Sequence, residues 1–152
     1  MDQFMGTHQN RLDAKGRVSI PALFRTVLRG GAPEGPVSAV LRPSHSYPCI
    51  EVWPVAAFHQ LGTSLERMAL FSDDHEDLSA ALYADAYPVE SDREGRIFLS
   101  ERLVKHAGLS DTVVFMGQGR SFRIWEPGAA EQRRLEARNR TLARGLTLPA
   151  SP

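Results

Sequence analysis

Asp13-Ala14-Lys15-Gly16-Arg17-Val18-Ser19-Ile20-Pro21 and Asp92-Arg93-Glu94-Gly95-Arg96-Ile97-Phe98-Leu99-Ser100 stand 79 residues apart and read alike: D-x-x-G-R, then apolar, any, apolar. Each copy is followed by a helix-like segment and, later, by a strand ending in Trp: Ile50-Glu51-Val52-Trp53-Pro54 in the first half, Phe122-Arg123-Ile124-Trp125-Glu126-Pro127 in the second. Three elements recurring in one order mark an internal duplication. Asp and Trp are 40 residues apart in the first half and 33 in the second, which places seven extra residues in the Gly/Pro-rich stretch between Gly30 and Tyr47 as a loop insertion.

Working outward, each half reads as strand, hairpin turn, strand, short helix, strand, strand, helix. Asp at the first position of a type I turn and Gly three residues on, where positive φ is needed, suit a tight hairpin whose flanks turn back on each other. Pro21 starts a helix with Leu23, Phe24, Val27 and Leu28 on one face and Gly30 as its stop. Ser100 caps the matching helix, with Leu103, Val104 and Ala107 inward and Gly108 as its stop. Ser38 to Leu41 with Cys49 to Trp53, and Val113 to Met116 with Ser121 to Trp125, read as further hairpins. A half of about 50 to 60 residues buries only a thin core alone, so the two are expected to pack as one pseudo-symmetric unit.

Three more helices are expected: Pro54 to Met68, with Val55, Phe58 and Leu61 inward; Ser72 to Tyr83, Ser-capped and acidic in its first turn, with Leu78, Ala81 and Leu82 inward; and Pro127 to Arg144. The last carries five Arg against two acids, and Leu135 and Leu142 are its few large apolar residues, so it is expected to be weakly anchored and to end in a frayed tail from Gly145. The expected division is 4–54 and 84–128 as the repeated domains, 55–83 as a helical connector, and 129–152 as a basic helix and tail.

The 152-residue chain has 18 Lys+Arg against 18 Asp+Glu, and the balance conceals segregation. Residues 1–31 carry +3, residues 64–94 carry −7, and residues 95–152 carry +5. Such a chain can turn a basic face to a polyanion while its acidic stretch faces elsewhere. Disorder, collagen and coiled coil are excluded by composition and period. The lone Cys49 has no disulfide or zinc partner, and no run approaches the roughly 18 apolar residues of a membrane span. A soluble cytoplasmic protein is the expectation.

Enzyme signatures are absent: no Walker loop, H-E-x-x-H, G-x-S-x-G or paired-Cys spacing. His8, His45, His59, His75 and His106 are scattered, Cys49 reads as a small buried residue, and Asp73 and Asp77 beside His75 read as an acidic helix start rather than a metal site. No catalytic residue, metal or cofactor is assigned. The chemistry rests on the repeated turn. Asp13, Gly16, Asp92 and Gly95 are expected to be its structural skeleton, with Asp accepting backbone N–H groups and each Arg pairing with an Asp across the pseudo-twofold. Arg11, Lys15, Arg17, Arg93 and Arg96 are the candidate DNA contacts, since guanidinium suits phosphate oxygens and the guanine O6/N7 edge, and a two-stranded ribbon fits the major groove. The first copy is the stronger candidate, because Lys15 stands where the second copy has Glu94.

The run Asn10 to Pro21, the Asp92 to Leu99 copy, Leu103-Val104-Lys105-His106-Ala107-Gly108-Leu109 and the two strands closing on Trp53-Pro54 and Trp125 together resemble the MraZ family of bacterial transcriptional regulators, over about Phe4 to Ala129. The resemblance implies a mainly-β α+β fold of two tandem AbrB-like halves forming a swapped-hairpin β-barrel with helices around it. It also implies ring-shaped homo-oligomers, often of eight subunits, that bind repeated double-stranded promoter sites ahead of cell-division and cell-wall genes. Arg17 and Lys15 would then face DNA, in a cytoplasmic, nucleoid-associated protein with no membrane or small-molecule partner. The rival expectation is an oligomeric scaffold whose D-x-x-G-R hairpins serve assembly only.

Overall fold

The computed structural model describes residues 2–151. In chain order the elements are β1 (Thr7–Arg11), β2 (Arg17–Ser19), α1 (Ala22–Leu28), β3 (Ser38–Pro43), β4 (Ile50–Trp53), α2 (Val55–Leu65), α3 (Asp73–Tyr83), β5 (Tyr87–Glu90), β6 (Arg96–Phe98), α4 (Glu101–Ala107), β7 (Thr112–Gly117), β8 (Phe122–Trp125) and α5 (Pro127–Ala143). Six strands form one sheet in the order β1-β7-β8-β4-β3-β5, and β2 pairs with β6 in a separate ribbon. Exchanging each strand with its counterpart in the other half reverses that order onto itself, the signature of an internal dyad.

The register locates the axis. Arg17 faces Phe98, Val18 faces Ile97 and Ser19 faces Arg96, so the dyad passes between Val18 and Ile97. In the large sheet Ile50 faces Ile124, Glu51 faces Arg123 and Val52 faces Phe122, so it passes between Glu51 and Arg123. Equivalent residues are 79 apart through α1 and α4, 74 apart at β3 and β7, and 72 apart at β4 and β8. The seven-residue insertion is therefore split, five before β3 and two in the β3–β4 loop.

Pairing runs mostly between halves: β1 lies on β7, β5 on β3, β2 on β6 and β4 on β8. The two strands of each D-x-x-G-R hairpin thus scarcely pair with each other; in the first half a single bridge, Leu12 to Val18, remains. The expected closed barrel is not formed among the described residues. β1 and β5 end the six-stranded order with a partner on one side only, because the three-residue strands β2 and β6 pair with each other instead of bridging the edges.

The core lies between the sheet and the ribbon. Ile20, Leu41, Ile50, Ile97, Leu99, Leu103 and Ile124 are buried there, with Phe4, Phe24, Phe115 and Phe122 as an aromatic cluster whose closest rings, Phe24 and Phe122, are 4.8 Å apart. Each such side chain contributes about 1.5–3 kcal/mol on burial. Leu23, expected inward on α1, is 56% exposed: the short helix turns only Phe24 fully into the core. Ser100 accepts a hydrogen bond from the Leu103 N–H as the N-cap of α4, and Gly108 ends that helix at φ 62°.

α5 is fastened by its first two turns. Glu126 accepts the N–H groups of Gly128 and Ala129, bonds that lower its pKa; Ala130 is buried, and the Arg133 guanidinium lies 4.3 Å above the Tyr47 ring. Beyond that, Leu135 and Leu142 are exposed.

Candidate nucleic-acid interface

The two turns share one hydrogen-bond skeleton. In the first, the Gly16 N–H donates to the Asp13 carbonyl at 3.0 Å and the Asp13 N–H to the Arg17 carbonyl at 2.9 Å; the second repeats these bonds between Gly95 and Asp92 at 3.1 Å and between Asp92 and Arg96 at 2.9 Å. Asp13 Oδ1 accepts the backbone N–H groups of Lys15 and Arg17 at 2.9 and 2.8 Å, and its Oδ2 accepts Arg17 Nε at 2.9 Å. Asp92 holds Glu94 and Arg96 identically, at 2.9, 3.0 and 2.8 Å. The bond from the Arg N–H is the main reason that each carboxyl titrates below the ordinary Asp value of 3.8. Each Arg therefore pairs with the Asp of its own turn, not across the dyad as expected; only four residues separate the two, so the turn itself brings the guanidinium onto the carboxylate.

Across the dyad the turns are joined by backbone instead. The Ile20 N–H donates to the Gly95 carbonyl at 3.0 Å and the Leu99 N–H to the Gly16 carbonyl at 2.7 Å. Gly16 and Gly95 sit at φ 83° and 77°, where side chains are strained, and space is short as well: a Cβ on Gly16 would lie 2.9 Å from the Leu99 carbonyl oxygen, and one on Gly95 would lie 2.6 Å from Arg25 Cδ.

The side chains on this skeleton differ. Lys15 is exposed and makes no ion pair among the described residues; Arg11 is exposed at the end of β1. Arg17 is 37% exposed and uses Nε on Asp13, while its two terminal nitrogens have no partner among the described residues. In the second turn Arg96 faces two carboxylates, Asp92 at 2.8 Å and Glu94 at 3.5 Å, which raise its pKa, the Asp92 bond foremost. Arg93 is exposed there. The flanks differ too: Arg25, Arg29 and insertion residues 33–36 wall a cleft beside Glu90 to Gly95. The connection beside the first turn, between α4 and β7, is five residues shorter than that between α1 and β3.

Sequence reasoning passed over a buried polar group near the dyad. Arg42 and Glu51, with side chains 3% and 7% exposed, pair at 2.8 Å; Trp53 Nε1 donates to the same Glu51 oxygen at 2.9 Å, and Arg42 donates to the Ala81 carbonyl at 2.8 Å. Burial alone would raise the Glu51 pKa, but the Trp53 bond and the Arg42 charge outweigh it and the group titrates low. Single charges inside the apolar strands Ser38–Pro43 and Ile50–Trp53 were the available signal. Cys49 is buried, and desolvation pushes its thiol up to about 11, so it stays protonated. Among the described residues no group of three His, Cys, Asp or Glu is placed to hold a metal ion, and no helix is long and apolar enough to cross a membrane.

A duplicated, strand-exchanging sheet that carries matched Asp-anchored turns defines a tandem-repeat protein. A family model described as "MraZ protein, putative antitoxin-like" matches residues 3–80 and 82–140. The protein named "Transcriptional regulator MraZ" from Gluconacetobacter diazotrophicus is 64% identical over 150 residues, 99% of this chain and 94% of that one. Its namesake from Gluconobacter oxydans is 58% identical over 152 residues, covering 100% of this chain and 92% of the relative. That from Pelagibacter ubique is 34% identical over 137 residues, covering 90% and 86%. The chain belongs to the MraZ family, and its class is that of transcriptional regulators, not enzymes.

Proposed function

We propose that this regulator binds double-stranded promoter DNA through its first D-x-x-G-R turn and does so as a homo-oligomer, a ring of about eight subunits as the family resemblance implies. Lys15, Arg17 and Arg11 are the principal contacts; Arg93 and Arg96 contribute less. Asp13, Gly16, Asp92 and Gly95 hold the two turns in shape. The observation that carries this reading is the arrangement at Arg17: Asp13 fixes Nε, so the guanidinium is oriented in advance while its terminal nitrogens and the neighbouring Lys15 stay open to an anion. A fixed fork of that kind suits phosphate or the guanine edge.

One turn with few cations binds one short site weakly. Linking several copies raises the effective concentration of the next turn at the next site, so repeated operators gain affinity without new contacts, and repeat spacing becomes part of specificity. The resemblance directs this activity to repeats ahead of cell-division and cell-wall genes, on chromosomal DNA in the cytoplasm.

The test pairs two measurements on Lys15→Ala/Arg17→Ala: native mass, and affinity for a fragment of the chain's own upstream DNA across a salt series. Loss of DNA binding with unchanged mass supports the reading, as does a steep fall in wild-type affinity with salt from counterion release. Collapse to single subunits would favour turns that serve assembly only, and a flat salt series would contradict backbone contact.

A further inference from the structure

The internal dyad leaves one face uncovered. In the first half, α2 follows β4 and packs against α3, and Leu61 and Leu65 of α2, Leu78 and Leu82 of α3, and Arg42 and Trp53 of the sheet line one open hollow. Phe58 and Tyr83 meet edge to face across the two helices, with ring centroids 5.8 Å apart. By the register above, α5 is the dyad counterpart of α2, and Met116 of β7 is the counterpart of Arg42. The equivalent place in the second half is a groove lined by Met116, Gln118, Leu135 and Ala137 and rimmed by Arg133, Arg134 and Arg138, with Glu131 beside them paired to Arg134 at 3.0 Å. The described residues that follow α5, 145–151, form no helix to lie over it. Leu135 is 51% exposed as a result.

A segment of opposite charge stands elsewhere on the same chain. α3 begins Asp73, Asp74, Glu76 and Asp77; all four are exposed and none forms an ion pair among the described residues. Immediately before them, Leu70 and Phe71 are 68% and 79% exposed, and Phe71 is held at φ 67°, a conformation a bulky residue rarely adopts. Two large apolar side chains presented beside four unpaired acids fit an apolar floor with an arginine rim.

We infer that the Leu70–Phe71 tip and the acidic start of α3 dock in the α5–β7 groove of a second copy of this chain. The inference rests on the homo-oligomer reading above and names its contact. The tip and the groove are different surfaces, so the contact is head to tail: each subunit still offers a free tip or a free groove after pairing, and growth stops only when the assembly closes on itself. The ribbon bearing both D-x-x-G-R turns lies on the dyad and shares no residue with the tip or the groove.

The experiment uses native mass measurement of the full chain at micromolar concentration, with thermal unfolding to verify that each variant folds. Arg134→Glu/Arg138→Glu spoils the groove and leaves the tip; Asp74→Arg/Asp77→Arg spoils the tip and leaves the groove. Wild type is expected as a multi-subunit mass, each variant alone as single subunits, and an equal mixture of the two as associated masses, because the native tip of one fits the native groove of the other and the reversed tip and reversed groove are again opposite in charge. If wild type is itself a single subunit, the oligomer reading falls and this contact with it. If both variants keep the wild-type mass, the oligomer stands and this contact is wrong. Single variants that fail to pair on mixing would overturn the head-to-tail geometry. Should a charge reversal unfold the chain, Arg138→Gln and Phe71→Ala replace it, each expected to raise the concentration at which the assembly dissociates by about tenfold; no rise refutes the contact.

Discussion

At the first turn Asp13 holds Arg17 and leaves Lys15 unopposed, whereas at the second Asp92 and Glu94 both bear on Arg96. At the sheet's centre the first half places Arg42, Glu51 and Trp53 in a buried network; the second half places Met116, Arg123 and Trp125 at the equivalent positions, and there Cys49, Val114, Trp125 and Ala130 cluster as apolar side chains. Duplication has kept the hydrogen-bond skeleton and released the side chains upon it. Shape is thus repeated where the dyad needs it, and the side chains diverge around it.

The largest expected effect breaks the comparison at the core. Glu51→Ala leaves the Arg42 guanidinium buried without its carboxylate and is expected to cost about 3–5 kcal/mol in urea unfolding, while Arg123→Ala, at the facing but half-buried position, costs well under half as much. Next come the glycines. Positive φ alone costs Ala about 1–2 kcal/mol at Gly16 and Gly95 alike. Gly16→Ala should cost more in the same assay, since its Cβ meets the fixed Leu99 carbonyl while that of Gly95 meets the flexible Arg25 side chain. Equal losses would mean that the two turns are not packed as differently as described.

Glu94→Lys sharpens the comparison at the tip by giving the second turn the charge of the first. Affinity for promoter DNA should rise about tenfold at low salt, with the salt slope steeper by about 1 per phosphate gained. The smallest effect concerns pH. Asp13 and Asp92 both titrate below 3.8 in the folded chain, so the stability they supply is present above that value and fades as pH falls through the lower folded value. Between neutral pH and about pH 3, wild type should therefore lose more unfolding free energy than Asp13→Asn/Asp92→Asn, and equal losses would contradict the shared anchoring.

Much of this architecture was legible. Two copies of D-x-x-G-R, followed in step by helix and Trp strand, disclosed the dyad, because a turn needing Asp at its first position and Gly at its fourth leaves a local mark. Ser100 and Gly108 bracketed α4 for the same reason. The β3–β4 and β7–β8 hairpins were legible as well, but the strand partners between the halves were not. β1 is the polar run Thr7–Arg11, none of it buried, and it says nothing of whether the neighbouring strand is β2 or β7. The Asp–Arg pairing was misplaced across the dyad because residue types suggest an ion pair without saying which of two equal carboxylates is nearer. At the candidate interface the basic residues could be read off, but the free terminal nitrogens of Arg17 and the double pairing of Arg96 required geometry.

The exchange of strands has a consequence in time. β1 finds its partner only after Thr112–Gly117 has been synthesised, roughly a hundred residues later, which at bacterial or slower elongation rates is a wait of about 5–20 s. Until then β1 stays unpaired, although the β2–β6 ribbon, complete at Phe98, can already form. A messenger cut short before β7 would yield a fragment in which β1 lacks β7 and β4 lacks β8, leaving unpaired strand edges open to aggregation and degradation.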